Sequence, residues 1–136
     1  MMRSVTIAAA LSATLAAPPA LAARFDGTQP FLCTTIDIVS CGVGRSCDKE
    51  TAASVDMPQF LKFDVGQKQI TGERPNGEML KAVIDRTQHV EDRMLLQGID
   101  GRIMWSAMID EANGDLTITA GGDKIGFVAF GACTSG

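Results

Sequence analysis

Tyrosine is absent from this sequence, and histidine occurs only once, at position 89. Nucleophilic and acid/base catalysis need two or three suitable groups held close together, and no Gly-x-Ser-x-Gly elbow is present to supply a nucleophile. His89 lies in the polar run from Thr87 to Asp92, which predicts a solvated turn that closes a hairpin. We therefore expect a protein that is not an enzyme.

Patterns that bind metals are also missing. The four cysteines form no Cys-x-x-Cys knuckle of the kind found in structural zinc sites. No Asp-x-Asp-x-Asp-Gly calcium loop is present, and the methionines form no Met-x-x-Met or His-x-Met cluster that would favour copper. The sequence predicts no metal and no cofactor, and we interpret the methionines as adaptable core residues.

A hydrophobic run long enough to span a membrane is missing. A spanning helix needs about 20 apolar residues, whereas the run from Val5 to Ala17 is shorter and is followed by the proline pair 18–19. Arg3 before this run and Ala20-Leu21-Ala22 after it are typical of a secretory signal peptide. We predict a signal peptide over residues 1–22 and a periplasmic or secreted mature protein.

Clustered basic charge is absent from the mature chain, residues 23–136. Removing 22 of the 136 residues leaves 114, which suffice for one domain with its own core and not for two. Of the 12 basic residues only Arg3 is removed, so 11 basic residues remain against 16 acidic ones, a net charge of −5. Nucleic acids and anionic membranes attract clustered Lys and Arg. We expect neither as a partner of the mature form, and we expect a monomer.

What the sequence does contain is period-two alternation, most clearly from Met94 to Cys133. Asp100-Gly101 and Asn113-Gly114 are hairpin signals that separate its apolar runs. The alternation predicts two strands, each with two faces. In the first strand, Ile103, Trp105, Ala107 and Ile109 lie on one face, and Met104, Ser106 and Met108 lie on the other. In the second strand, Leu116, Ile118 and Ala120 lie on one face, and Thr117 and Thr119 lie on the other. A last strand follows from Ile125 to Phe130.

The earlier part of the chain alternates less evenly. A first strand is predicted over Phe31–Val39, and one face of it would hold Leu32, Thr34, Ile36 and Ile38. Residues 60–65 alternate cleanly, with Leu61, Phe63 and Val65 on one face. For residues 79–85 two faces remain possible, Leu80, Ala82 and Ile84 or Met79 and Val83. Residues 51–55 predict either a short edge strand or a single helical turn.

These runs predict an all-β fold of seven to eight strands, a small antiparallel up-and-down barrel or a sandwich. Sequential hairpins favour the barrel, in which the first and last strands meet and no edge is exposed.

The cysteines lie at positions 33, 41, 47 and 133, all in the exported part, which favours two disulfides. Three pairings are possible, and we predict Cys41 with Cys47 and, because the end strands meet, Cys33 with Cys133. Cys33 falls on the face opposite Leu32, so the second pair requires Cys133 to point outward. A bulge near Gly131 would supply that shift.

Several short motifs resemble those of a family of short exported bacterial proteins of unknown function. They are Phe25-Asp-Gly27, Pro30-x-Leu32-Cys33, Pro58-x-Phe60-Leu61, Leu96-Gln-Gly98, Trp105-Ser106 and Phe130-Gly-Ala-Cys133. The resemblance covers nearly the whole mature chain and implies no activity.

The soft and aromatic side chains of the strongest strands indicate a function in binding. A barrel of about eight strands is either filled by side chains or holds one small ligand. We predict a small apolar ligand bound by Trp105, Met94, Met104, Met108, Phe127 and Phe130. The alternative is a structural or inhibitory module that contacts another protein through the loops 42–46 and 73–77.

Overall fold

The computed structural model of the protein describes residues 16–17 and 25–135. The predicted cleavage site after Ala22 lies outside the described residues, as does all of the predicted signal peptide except residues 16 and 17. None of the described residues forms a helix, so the prediction of an all-β fold is confirmed.

Ten strands form one antiparallel sheet, in place of the seven to eight predicted. They are β1 (Phe31–Gly42), β2 (Asp48–Glu50), β3 (Phe60–Asp64), β4 (Gln69–Glu73), β5 (Met79–Val83), β6 (Arg86–Val90), β7 (Arg93–Asp100), β8 (Ile103–Asp110), β9 (Asp115–Gly122) and β10 (Ile125–Ser135). The two strands that the pattern missed, β2 and β6, are short and largely or wholly exposed, so they carry no apolar alternation.

The sheet curls into a half-barrel with the strand order β5-β4-β3-β1-β10-β9-β8-β7-β6, and β2 pairs with β1 beside this path. The first and last long strands, β1 and β10, pair with each other as predicted. They form the centre of the sheet, however, and the edges are β5 and β6. The expectation that no edge is exposed was therefore wrong.

The two edge strands are consecutive in the chain and meet at Ile84 and Asp85. The Ile84 N–H donates to the Lys68 carbonyl at 2.9 Å, and the Asp85 N–H donates to the Gln97 carbonyl at 2.8 Å. The Asp85 carboxylate then accepts the Ile99 N–H at 3.1 Å. The Asp85 side chain therefore bonds a backbone N–H of β7 near β5, and these two strands are not paired in the sheet.

A β-bulge at Ile36 decides which residues of β1 face inward. Thr35 pairs with Gly131 and Asp37 with Phe130, so Ile36 is an extra residue. Ile36 is 67% exposed, and Leu32 is exposed as well. The prediction that they share one face with Ile38 was wrong, because the bulge reverses the alternation within the strand. The residues that face inward are Phe31, Cys33 and Thr35 before the bulge and Ile38 and Ser40 after it.

Both predicted disulfides are present, Cys33–Cys133 and Cys41–Cys47. Cys33 and Cys133 are register partners on β1 and β10. Cys33 is buried, so the expectation that this pair points outward was wrong. The bulge lies opposite Gly131, close to its predicted position but on the partner strand.

The other inward faces agree with the alternation. Trp105, Ala107 and Ile109 of β8 and Leu116 and Ile118 of β9 face the interior. In β5 the structure selects the face formed by Leu80, Ala82 and Ile84, because Met79 and Val83 are exposed.

Candidate functional site

A cavity of about 290 Å³ lies inside the half-barrel. One wall comes from the inward faces of β3, β4 and β5, and the other from β8, β9 and β10. The apolar side chains of these walls are Leu61, Phe63, Ile70, Leu80 and Ala82 on one side and Ile103, Trp105, Ala107, Ile118, Ala120 and Phe127 on the other. The cavity can therefore remove part of the surface of an apolar molecule from water, while its open side stays in contact with solvent.

The indole of Trp105 lies over Gly98, its register partner on β7. A Cβ atom at position 98 would be 2.5 Å from Trp105 Cζ2 and 2.4 Å from the Val83 carbonyl oxygen. Glycine is therefore required for both the indole and β5 to approach β7. The Trp105 Nε1–H is buried and has no hydrogen-bond acceptor among the described residues.

The segment 55–58 contributes to the lining of the cavity. It ends a series of turns in which the Val55 N–H donates to the Thr51 carbonyl at 3.3 Å and the Met57 N–H donates to the Ala52 carbonyl at 2.8 Å. This is a turn of helical type, the second of the two structures predicted for residues 51–55. Asp56 has a φ of +52°, a backbone conformation that non-glycine residues rarely adopt.

Three charged residues contribute to the lining: Asp56, Arg74 and Asp100. Arg74 Nη1 donates to the backbone carbonyl of Asp56 and lies 3.4 Å from its carboxylate Oδ2. Arg74 therefore ties the segment 55–58 to the end of β4. Asp100 follows Met94, Leu96 and Gly98 in the same row of β7, but unlike these three buried residues it is exposed.

Two of the six predicted ligand residues, Trp105 and Phe127, line the cavity. Met94 faces inward but is fully buried, and it packs against Gly27 rather than lining the cavity. Met104, Met108 and Phe130 point to the outer surface, with exposed fractions of 68%, 42% and 49%. The inclusion of these three residues in one ligand site is thus corrected, because they alternate with inward-facing neighbours such as Trp105 and Ala129.

The sequence did not predict the wall formed by β3, β4 and β5 or any of the three charged residues. Alternation predicted the inward faces of β3 and β9, but not that these strands lie across the cavity from each other. Asp100 did carry a signal, because it continues the period-two row of β7. Its position before Gly101 led to its interpretation as a turn residue.

His89 lies in β6 and not in a turn. Its Nδ1 contacts Glu111 Oε1, which ties β6 to the end of β8. Within residues 16–17 and 25–135, no group of three or more His, Cys, Asp or Glu residues is placed to hold a metal ion.

No protein-family model matches this chain, and neither a curated protein nor a solved structure matches it. The resemblance to short exported bacterial proteins therefore stays a prediction. No helix long and apolar enough to cross a membrane occurs in the part of the chain that the structure describes.

Proposed function

We propose that the protein is exported and binds a small apolar ligand inside the half-barrel, without turning it over. The observation that carries this proposal is the cavity of about 290 Å³ with its mainly apolar lining. Typical ligand sites measure about 300–1,000 Å³, and an apolar cavity of about 150 Å³ is large enough for benzene. The ligand is therefore a single ring or a short alkyl chain.

The location of the protein outside the cytoplasm is supported by its covalent structure. All four cysteines are paired in two disulfides, and such bonds persist in oxidising compartments such as the periplasm or the medium. A ligand carrier in these compartments needs no catalytic group.

Trp105 is the only tryptophan of the chain and lines the cavity, so its fluorescence reports on occupancy. Titration with short fatty acids, alcohols and an apolar dye should change its emission and raise the thermal midpoint by mass action. The proposal fails if none of these probes changes either quantity.

A pair of variants tests the location of the ligand. Ala120 is the register partner of both Trp105 and Phe127, so Ala120→Phe should fill the cavity and weaken binding at least about tenfold. Met104→Phe adds an aromatic ring to the outer face of β8 and should leave binding unchanged. Equal loss in both variants would place the ligand elsewhere.

Contact with another protein through the loop 42–46 is the second candidate function. The disulfide Cys41–Cys47 fixes both ends of this loop, and Val43 at its surface is 77% exposed. A rigid loop with an exposed apolar side chain can dock into a partner's cleft. If the ligand titrations fail, this loop is the next region to test, by Val43→Asp.

A further inference from the structure

The electrostatic character of the cavity indicates which head group the ligand carries. Asp100 is the last residue of the row of β7 that also holds Met94, Leu96 and Gly98; it is exposed to solvent and contributes to the lining of the cavity. It pairs in register with Ile103, and Gly98 pairs with Trp105, so Asp100 and Trp105 are diagonal neighbours on the same face of the sheet. Diagonal neighbours in antiparallel strands lie within reach of long and aromatic side chains.

The charge of Asp100 is not balanced by a protein side chain. The Asp100 carboxylate takes part in no ion pair or hydrogen bond among the described residues. Arg74, the cation in the cavity lining, is already paired with Asp56. Arg102, two residues after Asp100, has its guanidinium 3.3 Å from Asp123. The three charged lining residues therefore sum to one negative charge, located beside the indole.

We infer that the ligand is an apolar amine, whose ammonium group lies at Asp100 while its apolar part contacts Trp105 and Phe127. This inference rests on the proposed function and adds the charge of the head group to it. The carboxylate attracts the cation, and the face of an indole attracts it further. A carboxylate head would be repelled by Asp100 and would have to displace Asp56 from Arg74.

The test is a set of three molecules with the same chain and different heads: hexylamine, hexanol and hexanoate at pH 7 and low salt. Affinities are measured by Trp105 fluorescence and by calorimetry. Hexylamine should bind about five- to tenfold more tightly than hexanoate, the range expected when an exposed ion pair and a cation–π contact combine. Added salt should reduce this ratio, because it screens exposed charges.

Two matched variants assign the effect to one carboxylate. Asp100→Asn should bring the affinities for the three molecules within about twofold while leaving that for hexanol unchanged. Asp115→Asn removes the same charge from an exposed position on β9 that does not line the cavity, and it should keep the preference for the amine.

The possible results separate the inference from the proposed function. If hexanol binds and the charged heads make no difference, or if Asp100→Asn keeps the wild-type ratio, the inference is overturned and apolar binding stands. If hexanoate binds most tightly and loses this advantage in Arg74→Gln, the head group is anionic and the inference is again wrong. If none of the three molecules binds, both proposals fail.

Discussion

Gly98, which lies beneath the indole of Trp105, has no room for a side chain. A methyl group there would collide with the Val83 carbonyl and with the indole of Trp105. We expect Gly98→Ala to lower the free energy of unfolding by about 1–3 kcal/mol, as overpacking does, and to shift the tryptophan emission. Urea denaturation and fluorescence spectra measure the two effects.

Gly66→Ala is the control for this substitution. The nearest atom to a Cβ at position 66 is an Asp64 side-chain oxygen 3.7 Å away, so we expect a change within about 0.5 kcal/mol. Similar losses in the two variants would mean that the close approach at Gly98 contributes nothing.

Glu50 is a second residue with a specific, measurable role. Hydrogen bonds from the hydroxyls of Ser54 (2.6 Å) and Ser40 (2.8 Å) lower the pKa of Glu50 below its usual value of 4.5. A carboxyl whose pKa is lower in the folded protein contributes stability above its unfolded pKa, and this contribution is lost as the pH falls through the folded pKa.

We therefore expect Glu50→Gln to lower the thermal midpoint at pH 7, with a difference from the wild type that shrinks as the pH falls below 4.5. Melting curves between pH 7 and pH 3 measure this difference. Glu73→Gln is the control, because the Glu73 carboxylate accepts no hydrogen bond among the described residues. A difference for Glu50→Gln that stays constant with pH would contradict the expected role.

At the scale of the elements, the segment 55–58 is tied to the end of β4 by the side chain of Arg74, the residue that follows this strand. Arg74 bonds the Asp56 carbonyl and lies beside its carboxylate, at a position where Asp56 has an unfavourable φ. We expect Arg74→Gln to lower the free energy of unfolding by about 1 kcal/mol and to speed hydrogen exchange at the Met57 N–H. Urea denaturation and exchange rates measured by NMR follow both.

Arg102→Gln is the matched control for Arg74→Gln. Its ion pair with Asp123 is exposed on both sides, and such pairs contribute little. Unchanged exchange at Met57 in Arg74→Gln would show that the turn hydrogen bonds hold the segment without Arg74.

The elements that the sequence predicted well are those whose alternation is unbroken. The faces of β8 and β9 follow from period two alone, because each strand is apolar on one side over its whole length. The face of β1 could not be predicted in this way, since the extra residue Ile36 reverses the alternation and no glycine or proline in β1 itself marks the bulge. The strand β6 was also missed, because all five of its residues are exposed and its pairing comes from β7.

At the scale of the whole molecule, the two disulfides should differ in their contribution to stability. The Cys33–Cys133 link spans 100 residues and the Cys41–Cys47 link spans 6. The chain-entropy model assigns these loops about 4.7 and about 2 kcal/mol. Replacing the first pair by serine should therefore lower the urea midpoint much more than replacing the second. An equal effect would show that closing the long loop is not what stabilises the fold.

Only one wall of the cavity could be predicted from the sequence, because the position of the other wall depends on the curvature of the whole sheet. Trp105 and Phe127 lie in strands with clear alternation, so they could be placed on inward faces. Their neighbours across the cavity, such as Leu61 and Leu80, come from the other half of the sheet. The two halves are joined where β1 pairs with both β3 and β10, and they face each other because the sheet curls. The spacing of residues in the sequence does not indicate this curvature.

The disulfide Cys33–Cys133 makes the part of the chain between these two residues a closed covalent ring. From Cys33 the backbone passes through β3, β4 and β5, crosses Ile84 and Asp85, and returns through β6 to β10, where Cys133 bonds back to Cys33. A protease that cut between residues 84 and 85 would open this ring without dividing the protein. The two fragments would stay joined by the disulfide, each with its own paired strands, and would separate only after reduction and unfolding.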